Sequence, residues 1–211
     1  MSYSESITQH LLQIQAVKLS PQKPFRWASG WMSPIYCDNR KTLSYPEVRK
    51  IIYKAFAQVI RERYPEAAQI AGVATGGIAH GILVAEELGL PFVYVRASAK
   101  GHGLGNMIEG ELLEGKPIVM VEDLISTGGS SLNALQSLRA AGADVLGMVA
   151  IFTYGFGTAR TNFEKNKCEL ITLTNYTDLI EEAVRSGYIQ QEDLETLTKW
   201  RESPEQWGVE E

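Results

Sequence analysis

The spacing of hydrophobic and polar positions changes several times along the chain, and each change marks an element. Ser4 to Ile14 predicts a short helix. Lys18 to Thr42 holds no sustained period. Pro21, Pro24, Gly30 and Pro34 interrupt Phe25, Trp27, Trp31 and Tyr36, which predicts a small, irregular or β-rich subdomain. Val48, Ile51, Ile52, Ala55, Phe56, Val59 and Ile60 then fall on one face of a long helix. Ser44 is expected to cap it, with Pro46 in the first turn and Glu47 completing a capping box.

From Gln69 onward short apolar runs alternate with helical patterns. Strands are predicted at Gln69–Val73, Phe92–Val95, Ile118–Val121, Val145–Phe152 and Leu170–Leu173. Helices are predicted at Ile78–Leu88, Gly129–Ala140, Thr177–Ser186 and Glu192–Glu202, and Arg96–Gly110 reads as a long glycine-rich loop. The expected fold class is α/β, a mostly parallel sheet flanked by helices. Residues 1–43 form an N-terminal helix and a small hood, and residues 44–211 the α/β core with its C-terminal helices. Ligands bind such sheets at the carboxyl ends of the strands, so the loops after Val73, Val95 and Val121 carry the chemistry.

Charge and cysteine content narrow the classes. A net charge of -5 and a pI near 5.4 argue against a nucleic-acid partner, which needs a basic surface. No apolar run approaches the roughly 20 residues of a membrane span, and Met1 to Ile14 lacks an apolar signal core. Cys37 and Cys168 lie far apart with no metal-ligand spacing, so reduced thiols in the cytoplasm are expected.

The most informative run is Ile118 to Ser130. An apolar strand is expected to end in two acids, Glu122 and Asp123, followed by Leu124, Ile125 and a small-residue loop that opens into a helix. Unpaired N–H groups and the helix dipole favour an anion there. Gly128 and Gly129 admit a phosphate close to the main chain, and Ser126, Thr127 and Ser130 add hydroxyl donors. Ionised carboxylates accept hydrogen bonds only, which suits the two neighbouring hydroxyls of a ribose. Acid pair and cradle together read as a ribose 5-phosphate site. A nucleotide P-loop is excluded because Gly-Lys-Ser/Thr is missing. The plain alternative is a strand-to-helix turn capped by Ser and Gly, and two acids at the end of such an apolar strand argue against it.

Val121 to Ser130 resembles the signature by which type I phosphoribosyltransferases hold phosphoribosyl pyrophosphate (PRPP). Two further segments resemble the orotate phosphoribosyltransferase family. Pro24 to Arg40, with Ser29-Gly30 and Ser33-Pro34-Ile35-Tyr36, is similar to its hood, and Tyr94-Val95-Arg96 running into Ala99-Lys100-Gly101-His102-Gly103 to its mobile catalytic loop. Ala74 to His80 resembles its pyrophosphate loop, placing Thr75, Gly76 and Gly77 at the leaving group. The resemblance implies transfer of ribose 5-phosphate from PRPP to orotate, with Lys100 and His102 catalytic. Arg96, Lys100, His102 and Glu122 through Ser130 would then bind PRPP, and Ser126 would also meet orotate. It further implies Mg²⁺ carried mainly by PRPP, no protein metal cage, and a homodimer that shares the mobile loop across subunits. The loop cations have a chemical rationale: negative charge grows on pyrophosphate as its bond to the sugar breaks, and fixed cations stabilise it. Gly101, Gly103 and Gly105 allow closure that excludes water. His80, on a predicted helix, is expected to pack, and His10 to lie at the surface.

The chain departs from the family pattern where Ala28, Met32 and Ala97-Ser98 replace lysines, and where Thr153-Tyr154 replaces an arginine site. Arg26 and Arg160 are the candidate substitutes for binding the orotate carboxylate. The competing readings are a purine-type phosphoribosyltransferase, against which the hood argues, and a non-catalytic PRPP-binding regulator, which the missing lysines favour.

Overall fold

The computed structural model of the chain describes residues 3–27, 29–96 and 107–208. In chain order they form α1 (Tyr3–Gln13), β1 (Val17–Leu19), β2 (Phe25–Arg26), β3 (Met32–Ser33), β4 (Ile35–Cys37) and a 3-10 helix, Asn39–Ser44. Then follow α2 (Pro46–Arg63), β5 (Gln69–Val73), α3 (Gly76–Leu88), β6 (Phe92–Val95), β7 (Ile108–Glu109), β8 (Pro117–Ile125) and α4 (Gly129–Ala140). β9 (Asp144–Thr153), α5 (Gly157–Lys165), β10 (Glu169–Asn175), α6 (Tyr176–Arg185) and α7 (Asp193–Glu202) complete the chain.

The main sheet has the order β10-β9-β8-β5-β6-β7, and every neighbouring pair is parallel except β6 with β7. This is the expected helix-flanked parallel sheet. Strand order reverses between β5 and β8: from β5 the chain builds outward through β6, and from β8 it builds the other way through β9 and β10. A crevice opens at such a switch point because the two following connections leave on opposite faces. The central strands are apolar on both faces, and Ile70, Val93, Val119, Met120 and Val149 are fully buried. One layer packs α1, α2, α6 and α7 against them, with Phe56 and Trp200 fully buried; the other packs α4 and α5 through Leu135, Leu138 and Phe163.

The hood consists of two antiparallel pairs, β1 with β4 and β2 with β3. Its apolar residues Val17 and Ile35 join the main core.

Four local expectations are corrected. Ser44 does not cap α2: it closes the 3-10 helix, Tyr45 is the N-cap without a side-chain bond, and Pro46 supplies the first helical position. The strand expected to stop at Val121 runs on through both acids to Ile125, because β9 pairs along it as far as Ile125 with Thr153. Within the expected loop Arg96–Gly110, Ile108–Glu109 pair back onto Tyr94 and Val95. Helix α5 was not foreseen, although Ala159 and Phe163, four residues apart, form its buried face.

Candidate active site

The crevice between β5 and β8 holds a cavity of about 450 Å³, lined by three segments. Ala74, Thr75 and Gly76 come from the β5–α3 connection. Glu122, Asp123, Leu124 and Ser126 through Ser131 come from the end of β8 and the start of α4, and Cys37, Asp38 and Arg40 from the hood. Thr75, Gly76 and all the predicted phosphate-loop residues except Ile125 therefore meet at one opening. Ile125 is fully buried, so only its backbone is available to a ligand. Its carbonyl accepts from Tyr154 N at 3.2 Å and Thr153 Oγ1 at 3.3 Å, which fixes where the loop leaves the strand.

The loop is shaped as the glycine pattern requires. Gly128 takes φ +83°, a left-handed conformation that favours glycine, and serves as the N-cap of α4. Its side-chain position faces the ring of Phe163. Asn162 Nδ2 donates to Thr127 O at 3.2 Å, bracing the loop from α5. Gly129 and Ser130 are exposed at the first helical turn, leaving their N–H groups open to an anion.

The two acids have separate surroundings. Glu122 is buried, and its carboxylate accepts from Ser131 Oγ at 2.8 Å and Asp123 N at 3.0 Å. Burial, with the neighbouring charge of Asp123 behind it, pushes the Glu122 carboxyl well above the usual carboxylate range. Asp123 is half-buried and is also raised, chiefly by burial, with Arg40 acting in the opposite direction. Its backbone is held from the hood, where Asn39 Nδ2 donates to Asp123 O at 2.6 Å. Asn39 Oδ1 in turn accepts from the Cys37 thiol at 3.3 Å. Asp38 is held below the usual range by its bonds from Arg40 at 2.7 and 3.1 Å, so it stays ionised.

The β5–α3 connection approaches β8 closely. A Cβ on Gly76 would overlap the Asp123 carboxyl, and one on Gly77 would overlap Val121 O. Gly77 itself is buried and supplies this close approach rather than a surface. The peptide bond between Ala74 and Thr75 is cis. His80, fully buried on α3, packs as expected: Nε2 lies 3.1 Å from Thr42 Oγ1, and burial lowers its pKa to about 4.

A second cavity of about 330 Å³ adjoins the first, sharing Cys37, Leu124 and Ser126. Arg26, Trp27, Ser29, Tyr36 and Tyr154 complete its lining. It is aromatic on two sides and carries one guanidinium, the surface a flat, anionic ring requires. Of the two candidate substitutes, Arg26 lines this cavity. Arg160 does not: it is exposed on α5, pairs with Glu164 at 2.9 Å, and lines a different depression.

Arg96 lines neither cavity. Its guanidinium pairs with Glu109 at 3.3 Å, and its N–H donates to Met107 O at 2.7 Å. Lys100 and His102 lie outside the described residues. Among the described residues no group of three or more His, Cys, Asp or Glu is placed to hold a metal ion. The sequence reading missed Asp38, Asn39 and Arg40 as site residues. Their signal was the polar Asp-Asn-Arg triplet directly after the hood motif, an abrupt change from the aromatic run before it.

Comparison with known proteins bears on the family and the fold. The phosphoribosyl transferase domain family matches residues 41–186. An orotate phosphoribosyltransferase of Porphyromonas gingivalis is 57% identical over 203 residues, covering 96% of this chain and 97% of the relative. That of Cytophaga hutchinsonii is 51% identical, with 98% and 99% covered. The crystal structure of orotate phosphoribosyltransferase from Aeropyrum pernix superposes with a TM-score of 0.75 at 24% identity over 87% of this chain and 99% of that one, a likeness of fold. With a family match over most of the chain and near full-length relatives at this identity, the chain belongs to the orotate phosphoribosyltransferases of the phosphoribosyltransferase family.

Proposed function

We propose that the chain transfers ribose 5-phosphate from PRPP to orotate, giving orotidine 5′-phosphate and pyrophosphate in the route to UMP. The observation that carries this reading is the pair of adjoining cavities that meet at Ser126: one is polar and glycine-lined, the other aromatic with Arg26. The 5′-phosphate sits on the loop Ser126–Ser130, where backbone N–H groups and hydroxyls converge on it. Asp123 accepts from the ribose hydroxyls, and Glu122, engaged by Ser131 and the Asp123 N–H, fixes the strand end behind it. Thr75 and Gly76, with Gly77 behind them, border the pyrophosphate.

Orotate lies in the aromatic cavity against Trp27 and Tyr154, with its carboxylate toward Arg26. Its ring nitrogen, once deprotonated, bonds to the anomeric carbon as the bond from that carbon to the pyrophosphate oxygen breaks. Lys100 and His102 meet the charge that develops on the leaving group, whereas Arg96 is engaged by Glu109 outside the cavity. Mg²⁺ carried with PRPP would neutralise part of the pyrophosphate charge. Asp38, kept ionised by Arg40, and Asp123 are the carboxylates of the cavity that would face such an ion.

Assembly as a homodimer, with the Lys100–His102 segment reaching the neighbouring cavity, follows from the family resemblance. A cytoplasmic location is supported by free Cys37 and Cys168, and no helix among the described residues is long and apolar enough to cross a membrane.

The test is orotate consumption, followed by its ultraviolet absorbance with PRPP and Mg²⁺. Loss of orotate that needs all three components is expected. Consumption of hypoxanthine or adenine instead would overturn the base assignment, and PRPP binding without turnover of any base would favour the regulator.

A further inference from the structure

Helix α7 lies beyond the segment that the phosphoribosyl transferase family matches, yet it reaches the wall of the base cavity. Its buried residues are Leu197 and Trp200, three apart on one face. Trp200 is fully buried, and four aromatic rings surround it. Phe156 and Tyr176 stand at centroid distances of 5.5 and 5.4 Å. The other two, Trp27 at 5.6 Å and Tyr154 at 5.7 Å, meet it edge-on, and both line the base cavity. Those two also touch each other at 5.1 Å, so Trp200 wedges the pair from behind.

The two rings have further partners, since Trp31 stacks on Trp27 at 6.3 Å and Phe152 meets Tyr154 edge-on at 5.4 Å, but among the described residues Trp200 alone contacts both. Trp27 Nε1 donates to Ile35 O at 3.0 Å, which fixes one edge of the indole but not its tilt. Tyr154 stacks on Phe156, which Trp200 also contacts. Helix α7 is itself held in place, since Tyr176 OH donates to Leu197 O at 3.0 Å and Arg201 donates to Thr177 Oγ1 at 2.6 Å. Among the described residues the indole N–H of Trp200 has no hydrogen-bond partner, so packing of the ring is its contribution at this position.

We propose that Trp200 is a positioning residue for the base: from α7 it sets the spacing and tilt of Trp27 and Tyr154, and so governs binding of the planar heterocycle but not of the sugar phosphate. The inference rests on the reading of the aromatic cavity as the base site. Trp200 lines neither cavity, and the loop Ser126–Ser130 is braced from α5 by Asn162 on Thr127 O.

The experiment compares steady-state kinetics and thermal melting of the full-length wild type with Trp200→Leu, Trp200→Phe and Leu197→Ala. Loss of aromatic contacts at two rings is expected to raise the orotate KM roughly tenfold in Trp200→Leu. The PRPP KM should stay within about twofold of wild type. Trp200→Phe keeps a ring and removes an unpaired N–H, so it should fold even where Leu does not, with a smaller rise in the same parameter. Leu197→Ala, which opens a hole on the same helix face but leaves the four-ring cluster around Trp200 complete, should lower the melting temperature without moving the orotate KM. An unchanged orotate KM in Trp200→Phe and in a folded Trp200→Leu would overturn the inference, as would equal rises in both KM values. Failure of the wild type itself to consume orotate would sink the base-site reading and this inference with it, a result visible before any variant is compared.

Discussion

Replacing Gly76 with alanine separates the stability of this fold from its chemistry. Gly76 opens α3, its φ lies outside the left-handed region, and alanine is the better helix former there. On backbone grounds alone Gly76→Ala should stabilise by about 0.5–1 kcal/mol. The added methyl, however, overlaps the Asp123 carboxyl, and relief requires the two to separate by about 1 Å. Asp123 cannot give by moving its main chain, because Asn39 holds its carbonyl at 2.6 Å and the parallel partner β9 pairs along β8 on both sides of it. The displacement therefore falls on the Asp123 side chain and on the Thr75–Gly76 connection, both of which line the cavity. A misplacement of that size costs about 100-fold in rate, or about 2.7 kcal/mol of transition-state stabilisation. The assay is kcat/KM for PRPP at saturating orotate, with thermal melting on the same samples. A loss near 100-fold with an unchanged or slightly raised melting temperature is expected. Wild-type kcat/KM in a folded Gly76→Ala protein would refute the placement of Asp123 against this connection.

Three further outcomes are expected. Arg26→Ala should raise the orotate KM about tenfold, the value of one charge-assisted contact at an exposed position, and leave the PRPP KM unchanged; an unmoved orotate KM removes Arg26 from the base site. Lys100→Ala should lower kcat by roughly 100-fold or more while PRPP affinity changes little, as measured by single-turnover kinetics and calorimetry; a raised KM at constant kcat would contradict its transition-state role. His80 is neutral in the fold with a pKa near 4 against 6.5 when unfolded, so the unfolded chain binds the extra proton between those values. Stability is then lost as pH falls from about 6.5 toward about 4, by at most about 3 kcal/mol. Urea unfolding of His80→Gln should show a shallower acid limb over that window, and an unaltered slope would discount His80 as its source.

How much of this was legible beforehand depends on the range of the interaction involved. β5, β6 and α4 fall on their predicted bounds because each is a local pattern: a short apolar run, or a helical period opened by glycine. The phosphate loop was legible for the same reason, since glycines, hydroxyls and the helix start are neighbours in sequence. β8 was cut short at Val121 because charged residues rarely continue a buried strand; pairing with β9, about 30 residues away, carries it on to Ile125. Ser44 has the local chemistry of a cap, but the preceding 3-10 helix takes it in.

The sequence by itself determined the fold class and the family to which the chain belongs, because each rests on residue type and near spacing. Tertiary structure alone decided how the two acids differ. Glu122 and Asp123 are adjacent and both line the cavity, but Glu122 is the more deeply buried and is bonded by Ser131 Oγ and the Asp123 N–H. It also decided that Arg26 and not Arg160 reaches the aromatic cavity, and that Asn39 holds Asp123 across 84 residues. Trp200, remote from every motif, comes to stand behind Trp27 because burying the apolar face of α7 leaves its ring no other place to pack.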